Sequence, residues 1–211
     1  MKTVCKIIIL ITIVSCTSQN KQNKAMKTFD IETFNSKEEN NHYSYISEDG
    51  NEVKQNRAKD YYWETIKPKD SILEFYYEYY QNGKLKRSIK RYPKAFAVGV
   101  LKEFDTQGNI VKEENLDKPF TYSWENVKKY LETHKVEDIQ KQVIGISRWS
   151  DAKSTTWTLE FNGEYEGTKG RLVTKLDGKT GEELEVKLFK GKGAVGETGT
   201  TAVYDTLYKK D

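Results

Sequence analysis

Tyr79-Tyr80-Gln81-Asn82-Gly83-Lys84-Leu85 reads as the end of one β-strand, a glycine turn and the start of the next. An aromatic stands four residues before the glycine and an aliphatic two after it. Phe104-Asp105-Thr106-Gln107-Gly108-Asn109-Ile110 repeats that spacing, with Gly108 in the place of Gly83. Ile46 to Val53, around Asp49-Gly50, is a weaker third copy. Asn-Gly and Asp-Gly supply the positive φ angles that tight hairpin turns require. The residues leading into the first turn alternate as a strand does. Leu73, Phe75, Tyr77 and Tyr79 fall on one face, and Ile72, Glu74, Tyr76, Glu78 and Tyr80 on the other. The first set is the expected core face. Residues 42–118 are therefore expected to form a meander of β-hairpins.

Downstream, Pro119 ends the hairpin pattern. Ser123 is a plausible N-cap, with Glu125 in the first turn and Trp124, Val127, Leu131 and His134 on one helical face. One helix is expected from about Trp124 to His134. Strands return with Trp157, Leu159 and Phe161, then Arg171 to Leu176, then Leu184, Val186 and Leu188. The turn Asp177-Gly178-Lys179-Thr180-Gly181 joins the last two. Residues 119–190 thus read as a helix with an antiparallel sheet, and 191–211 as a glycine-rich tail in which Ala202 to Tyr208 form an edge strand or a loose end. The whole is an α+β chain dominated by sheet.

Upstream, Lys2 and Lys6 precede an apolar run from Ile7 to Val14, then Ser15, Cys16 and a polar stretch. This order is that of a secretory signal peptide. The run is too short to cross a bilayer, which takes roughly 20 apolar residues. Ile13-Val14-Ser15-Cys16 resembles a bacterial lipobox. The resemblance implies cleavage after residue 15 and acylation of Cys16, and an ordinary signal peptide is the alternative. Several acyl chains would anchor the protein firmly. Residues 16–41, rich in Asn, Gln, Lys and Glu, read as a flexible tether. Phe29, Ile31 and Phe34 offer a short docking segment within it.

The chain has 35 basic and 32 acidic side chains. Losing Lys2 and Lys6 with the leader leaves 33 against 32, so charge gives no reason to expect nucleic acid as a partner. Apolar residues make up 36 % of the chain and aromatics 12 %, with 14 tyrosines. That composition suits a thin core built from rings whose hydroxyls stay wet. Cys5 and Cys16 are the two cysteines, so the body after Cys16 has no thiol for a disulfide, metal or nucleophile.

Chemistry-bearing motifs are few. His42 and His134 are the two histidines, and neither has a ligand partner at a metal-like spacing. His134 suits a helix end. No nucleophile elbow, phosphate loop or dinucleotide fingerprint occurs. The pairs Glu38-Glu39, Glu113-Glu114 and Glu182-Glu183 point to opposite strand faces and are expected to be solvated. No catalytic residue, metal or cofactor is expected. Lys84, Lys86, Arg87, Lys90, Arg91 and Lys94 form one dense basic stretch. It reads as a charged strand edge that resists aggregation, or as a patch for an acidic partner protein. Tyr61, Tyr62 and Trp63, with Tyr76 and Tyr80, offer an aromatic platform for protein or sugar contacts.

Tyr79-Tyr80-x-Asn82-Gly83-x-Leu85 and Gly99-x-Leu101-Lys102-x-Phe104-Asp105-x-x-Gly108-Asn109-Ile110 resemble the MORN-like repeats of YwqK-type antitoxin and immunity proteins. Those repeats usually carry tryptophan where Leu101 stands and tyrosine where Phe104 stands. The resemblance spans about 74–113 and implies hairpin repeats that neutralise a toxin by binding it. Trp157 to Val186 is similar to the strand-turn-strand of PepSY-type domains, some of which are associated with protease inhibition. Asp70-Ser71-Ile72 and Asp205-Thr206-Leu207 resemble an O-glycosylation sequon of exported proteins.

The expected function is that of a non-catalytic exported lipoprotein, an immunity or antitoxin-like protein acting in the periplasm. Tyr80, Lys84, Lys86 and Arg87 are the expected contacts, through a sheet face or the Gly83 and Gly108 turns. An envelope scaffold or glycan-binding lipoprotein is the alternative. The expected place is the outer membrane of a Gram-negative envelope, lipid-anchored and facing the periplasm.

Overall fold

The computed structural model describes residues 26–93, 95–195 and 199–211. The leader, Cys16, most of the expected tether and Lys94 lie outside the described residues. Among the described residues, two antiparallel sheets and three helices make an α+β fold dominated by strand.

The first sheet has seven strands paired in chain order: β1 (His42–Ile46), β2 (Glu52–Arg57), β3 (Tyr61–Lys67), β4 (Glu74–Tyr80), β5 (Leu85–Arg91), β6 (Ala97–Phe104) and β7 (Ile110–Asn115). The three glycine turns share one hydrogen-bond pattern. Gly83 N donates to Tyr80 O and Tyr80 N to Lys84 O. Gly108 pairs with Asp105, and Asp105 with Asn109, in the same way. Gly50 pairs with Ser47, and Ser47 with Asn51. Only the glycine has positive φ in each turn, +80° at Gly83, +99° at Gly108 and +77° at Gly50. These are three-residue loops closed by a left-handed glycine, which supplies the positive φ expected of each turn.

The repeat extends into the strands. Register shifts fall between Glu78 and Tyr79, and between Glu103 and Phe104. Tyr79 then faces Leu85, and Phe104 faces Ile110. The extra residues are Lys86 and Val111. The third copy pairs Ile46 directly with Glu52 and lacks the bulge.

The expected core face of β4 holds only at its ends. Leu73 and Tyr79 are buried, but Phe75 is 37 % exposed. No element covers the middle of this single-layer sheet, so the alternation is regular and the burial is not. The basic stretch is not an edge either: β5 lies between β4 and β6, and β1 and β7 are the edges.

The segment expected to be a tether folds from Thr28 onward. Thr28 bridges to Lys84, and Phe29 N donates to Gly83 O. Asp30 then caps α1 (Ile31–Lys37), accepting from Thr33 N. Phe29 and Phe34 pack on Tyr62, Tyr79 and Leu85 as a small core of their own. This is the docking segment that Phe29, Ile31 and Phe34 offer: three apolar residues suffice to staple a short helix to a sheet within an otherwise polar stretch.

The second sheet has the order β12-β11-β10-β9-β8: β8 (Val143–Ser150), β9 (Thr155–Tyr165), β10 (Thr168–Asp177), β11 (Glu183–Val195) and β12 (Gly199–Lys209). The expected tail at 191–211 supplies the end of β11 and all of β12, and Ala202 to Tyr208 take the edge-strand alternative through a backbone ladder against β11. The helix α2 (Trp124–Thr133) lies where the sequence places it, with a Ser123–Asn126 capping box. A short α3 (Ile139–Gln142) precedes β8. Trp124, Val127 and Leu131 pack on Trp157, Leu159, Phe161, Leu172, Leu176 and Val186. Val98 of β6, with Leu73 and Phe96 at the entries to β4 and β6, belongs to the same cluster, so one core joins the two sheets.

Arg148 stands at this junction, its side chain 8 % exposed. Its Nη1 donates to Asp117 at 2.8 Å, its Nη2 donates to Ala97 O, and its guanidinium lies 4.5 Å from the Phe120 ring centre. The Asp177–Gly181 turn closes the far side. Gly178 N donates to Thr155 O, and Tyr122 N to Gly178 O.

Candidate binding face

The N-terminal segment covers the Tyr62, Tyr79 and Leu85 end of one face of the seven-stranded sheet and leaves the other face open. On the covered face Lys27 pairs with the buried Glu64, and its ammonium sits 4.0 Å from the ring centre of Tyr77. Gln55 and Tyr79 also donate to Glu64, at 2.8 and 3.1 Å. Burial pushes the Tyr79 phenol far up, with the Glu64 carboxylate adding to the effect. Met26 packs on Gly108, and Phe29 O lies against Gly83. The two turns expected to contact a partner are thus occupied by the chain itself.

The open face gathers Tyr61, Trp63, Tyr76, Glu78 and Tyr80 from β3 and β4. Tyr61 faces Tyr80 across the pair, and Trp63 faces Glu78. The Trp63 and Tyr76 rings are 6.3 Å apart. From β5 come Lys86, Arg87 and Arg91. Neighbours on a strand point to opposite faces, but the bulge turns Lys86 onto the same side as Arg87. The Lys86 ammonium is 5.3 Å from the Tyr61 ring centre and 6.0 Å from that of Tyr80.

A carboxylate ladder neutralises these cations. Arg87 reaches Glu103 at 2.8 Å and Glu78 at 3.3 Å. Arg91 donates to Glu74 at 2.8 Å, and Tyr76 donates to Glu78 at 3.0 Å. Burial first, and Glu78 second, push the Tyr76 phenol well up. A shallow groove of ≈ 490 Å³ runs along this ladder between Tyr76, Arg87, Leu101 and Glu103. Half-buried rings beside balanced charges can make dense, directional contacts with little net field.

Of the four expected contacts, Tyr80, Lys86 and Arg87 share this face. The Tyr80 hydroxyl donates to Phe104 O at 2.7 Å, so its ring is held in place. Lys84 sits apart at the turn and donates to Thr106 O at 2.9 Å. The expected platform loses Tyr62, which is buried under Phe29 and Phe34.

A second polar cluster joins the end of α2 to the five-stranded sheet. Glu183, expected to be solvated, accepts from Tyr130 at 2.7 Å and from Tyr165 at 2.9 Å. His134 caps α2 and stacks on Tyr130 at 4.1 Å, with its Nδ1 2.7 Å from Tyr130 O. The cluster ties the helix end to β9 and β11. Three separate elements build it, so no local pattern announces it. His42 lies 2.7 Å from the Ser44 hydroxyl and 2.8 Å from the Asn56 amide, on an exposed strand surface. Among the described residues no group of three or more His, Cys, Asp or Glu is placed to hold a metal. No helix among them is long and apolar enough to cross a membrane.

No protein-family model, curated protein or solved structure matches the chain.

Proposed function

We propose that this chain is a binding protein without catalytic activity, an immunity-like lipoprotein that neutralises a toxin in the periplasm by occluding it. The observation that carries the reading is the asymmetry of the seven-stranded sheet. Residues 26–37 cover the Gly83 and Gly108 turns and the adjoining end of one face, and the other face presents Tyr61, Trp63, Tyr76 and Tyr80 beside Lys86 and Arg87. Tyrosine, tryptophan and arginine are the residues that most often dominate protein interfaces. The MORN-like character of the hairpins is part of the proposal and rests on the shared turn and bulge at Gly83 and Gly108. Anchoring through Cys16 and an outer-membrane place belong to it too, and rest on the leader sequence.

The test has two parts. The folded body is used to capture partners from envelope extracts, and a deletion strain is grown beside neighbours that carry toxins. Capture of a toxin, with sensitivity of the deletion strain, supports the proposal. No toxin captured and no sensitivity would sink it. The paired rings of Trp63 and Tyr76 also suit a sugar, so the same body is applied to a glycan array. Glycan binding that is lost in Trp63→Ala, without toxin capture, favours the glycan-binding alternative.

A further inference from the structure

Upstream of Thr28 the chain leaves the body at one corner of the seven-stranded sheet. Thr28 bridges to Lys84 and Phe29 N donates to Gly83 O, so the chain is held at the β4–β5 turn. From there it runs back to Met26, whose side chain packs on Gly108 in the β6–β7 turn. Ten residues separate Met26 from Cys16. Ten residues can span at most roughly 35 Å.

The corner is apolar. Met26, Ile110 and Val111 are 38 %, 51 % and 64 % exposed. Ile110 faces Phe104 directly after the turn, and Val111 is the extra residue of the bulge. Neighbours on a strand point to opposite faces, so the two wrap the corner from both sides. No side chain in residues 106–111 is charged. Asp105, which opens the turn, has its carboxylate filled by the N–H groups of Gln107, Gly108 and Asn109 and by the Asn109 amide, at 2.7–3.0 Å. Charge resumes at Lys112, which pairs with Glu114 at 2.9 Å. Exposed aliphatic side chains around an uncharged turn mark a surface that another phase or molecule covers.

The path of the chain selects what covers it. This corner is the point from which the chain runs to Cys16. The other exposed apolar residues lie elsewhere: Ile46, 67 % exposed, stands beside the Gly50 turn at the opposite end of the same sheet, and Ile144 and Trp149 lie on β8. Acyl chains on Cys16 hold the corner within reach of a bilayer, and a tether so short makes even a weak second contact effective. Three side chains are too few to bind a membrane alone and enough to orient a protein already anchored there. We infer that the β6–β7 corner rests in the headgroup interface of the bilayer through Met26, Ile110 and Val111, and stands the sheet on its Gly83–Gly108 end. Both sheet faces, the aromatic one included, then clear the lipid. The inference rests on the acylation of Cys16 proposed above and not on the identity of any partner.

For the test, the chain from Cys16 onward is coupled through Cys16, the one thiol after the leader, to a maleimide lipid. The vesicles are phosphatidylethanolamine and phosphatidylglycerol, with or without brominated acyl chains. The fluorescence that Val111→Trp adds to the wild type is expected to be lost on brominated vesicles and kept on the others. The fluorescence that Ile46→Trp adds is expected to be kept on both. In the wild-type chain, coupling to vesicles slows amide exchange in residues 108–111, and Ile110→Ser with Val111→Ser abolishes that slowing. Equal quenching at the two positions, or none at Val111→Trp, overturns the inference; a corner covered by a protein or by a second copy gives the latter result. The mass of the native chain reports acylation separately, so failure of the anchor is told apart from failure of the corner.

Discussion

Arg91 lies over the ring of Tyr76, its guanidinium carbon 4.0 Å from the ring centre, while its Nε donates to Glu74 at 2.8 Å. The dense basic stretch of the sequence is therefore tied into an aromatic and carboxylate lattice. Arg91→Ala removes a cation–π contact and a half-buried ion pair and leaves Glu74 without its cation. The expected loss is roughly 1–2 kcal/mol, larger than for a free surface pair. Urea denaturation of the variant checks it.

The N-terminal segment carries structural weight. Phe29→Ala empties a site ringed by Phe34, Tyr62 and Tyr79 and is expected to cost about 3 kcal/mol or more. Lys27→Met leaves Glu64 buried with only Gln55 and Tyr79 as donors, at a cost of roughly 1–3 kcal/mol. A true tether spanning 16–41 would give no change in either variant. Denaturant midpoints separate the two pictures.

Two glycines with similar backbone angles should respond differently to substitution. Gly181 has φ +76°, and a Cβ there would lie 2.1 Å from the Tyr122 ring. Gly167 has φ +82° and open space around it. Gly167→Ala is expected to cost about 1 kcal/mol from its backbone angle alone. Gly181→Ala adds a collision with the residue that leads into α2 and should cost at least about twice as much. Thermal unfolding of the pair measures the difference.

Several phenols resist ionisation. Burial, then the hydrogen bond to Glu183, pushes Tyr165 up to about 12 from 10.0. Tyr130 and Tyr79 are pushed higher for the same first reason, with Glu183 and Glu64 contributing. An acid whose folded value is raised favours folding while it stays neutral. That stability is full below the unfolded value of 10.0 and is lost as pH climbs through about 12. Ultraviolet titration should show these tyrosines ionising only as the protein unfolds. Glu183→Gln keeps the acceptor without the charge and should bring Tyr165 closer to its ordinary range.

The hairpins were legible in the sequence because each depends on a few adjacent residues. A glycine that must take positive φ announces its turn wherever it stands, and Gly50, Gly83 and Gly108 did so. The helix was legible for the same reason, since Ser123 and the spacing of Trp124, Val127 and Leu131 are local. What escaped depends on position in the assembled sheet. Nothing within Leu85–Arg91 says whether the strand is central or at an edge. The bulge at Lys86, which puts two neighbouring cations on one face, is likewise set by pairing. Phe29, Ile31 and Phe34 announced a docking segment but not where it docks, because the partners Tyr62 and Tyr79 lie far along the chain. Glu183 looked solvated because Tyr130 and Tyr165 reach it from other elements.

The most direct test of the central claim is the affinity of the captured partner for two variants on opposite faces of the β3–β4 pair. Trp63→Ala combined with Tyr76→Ala alters the open face, and Phe75→Ala alters the other face at a site that is 37 % exposed. The account predicts that the first loses at least about 2 kcal/mol of binding while the second binds as the wild type does. Equal affinity in all three proteins, or loss confined to Phe75→Ala, would contradict it.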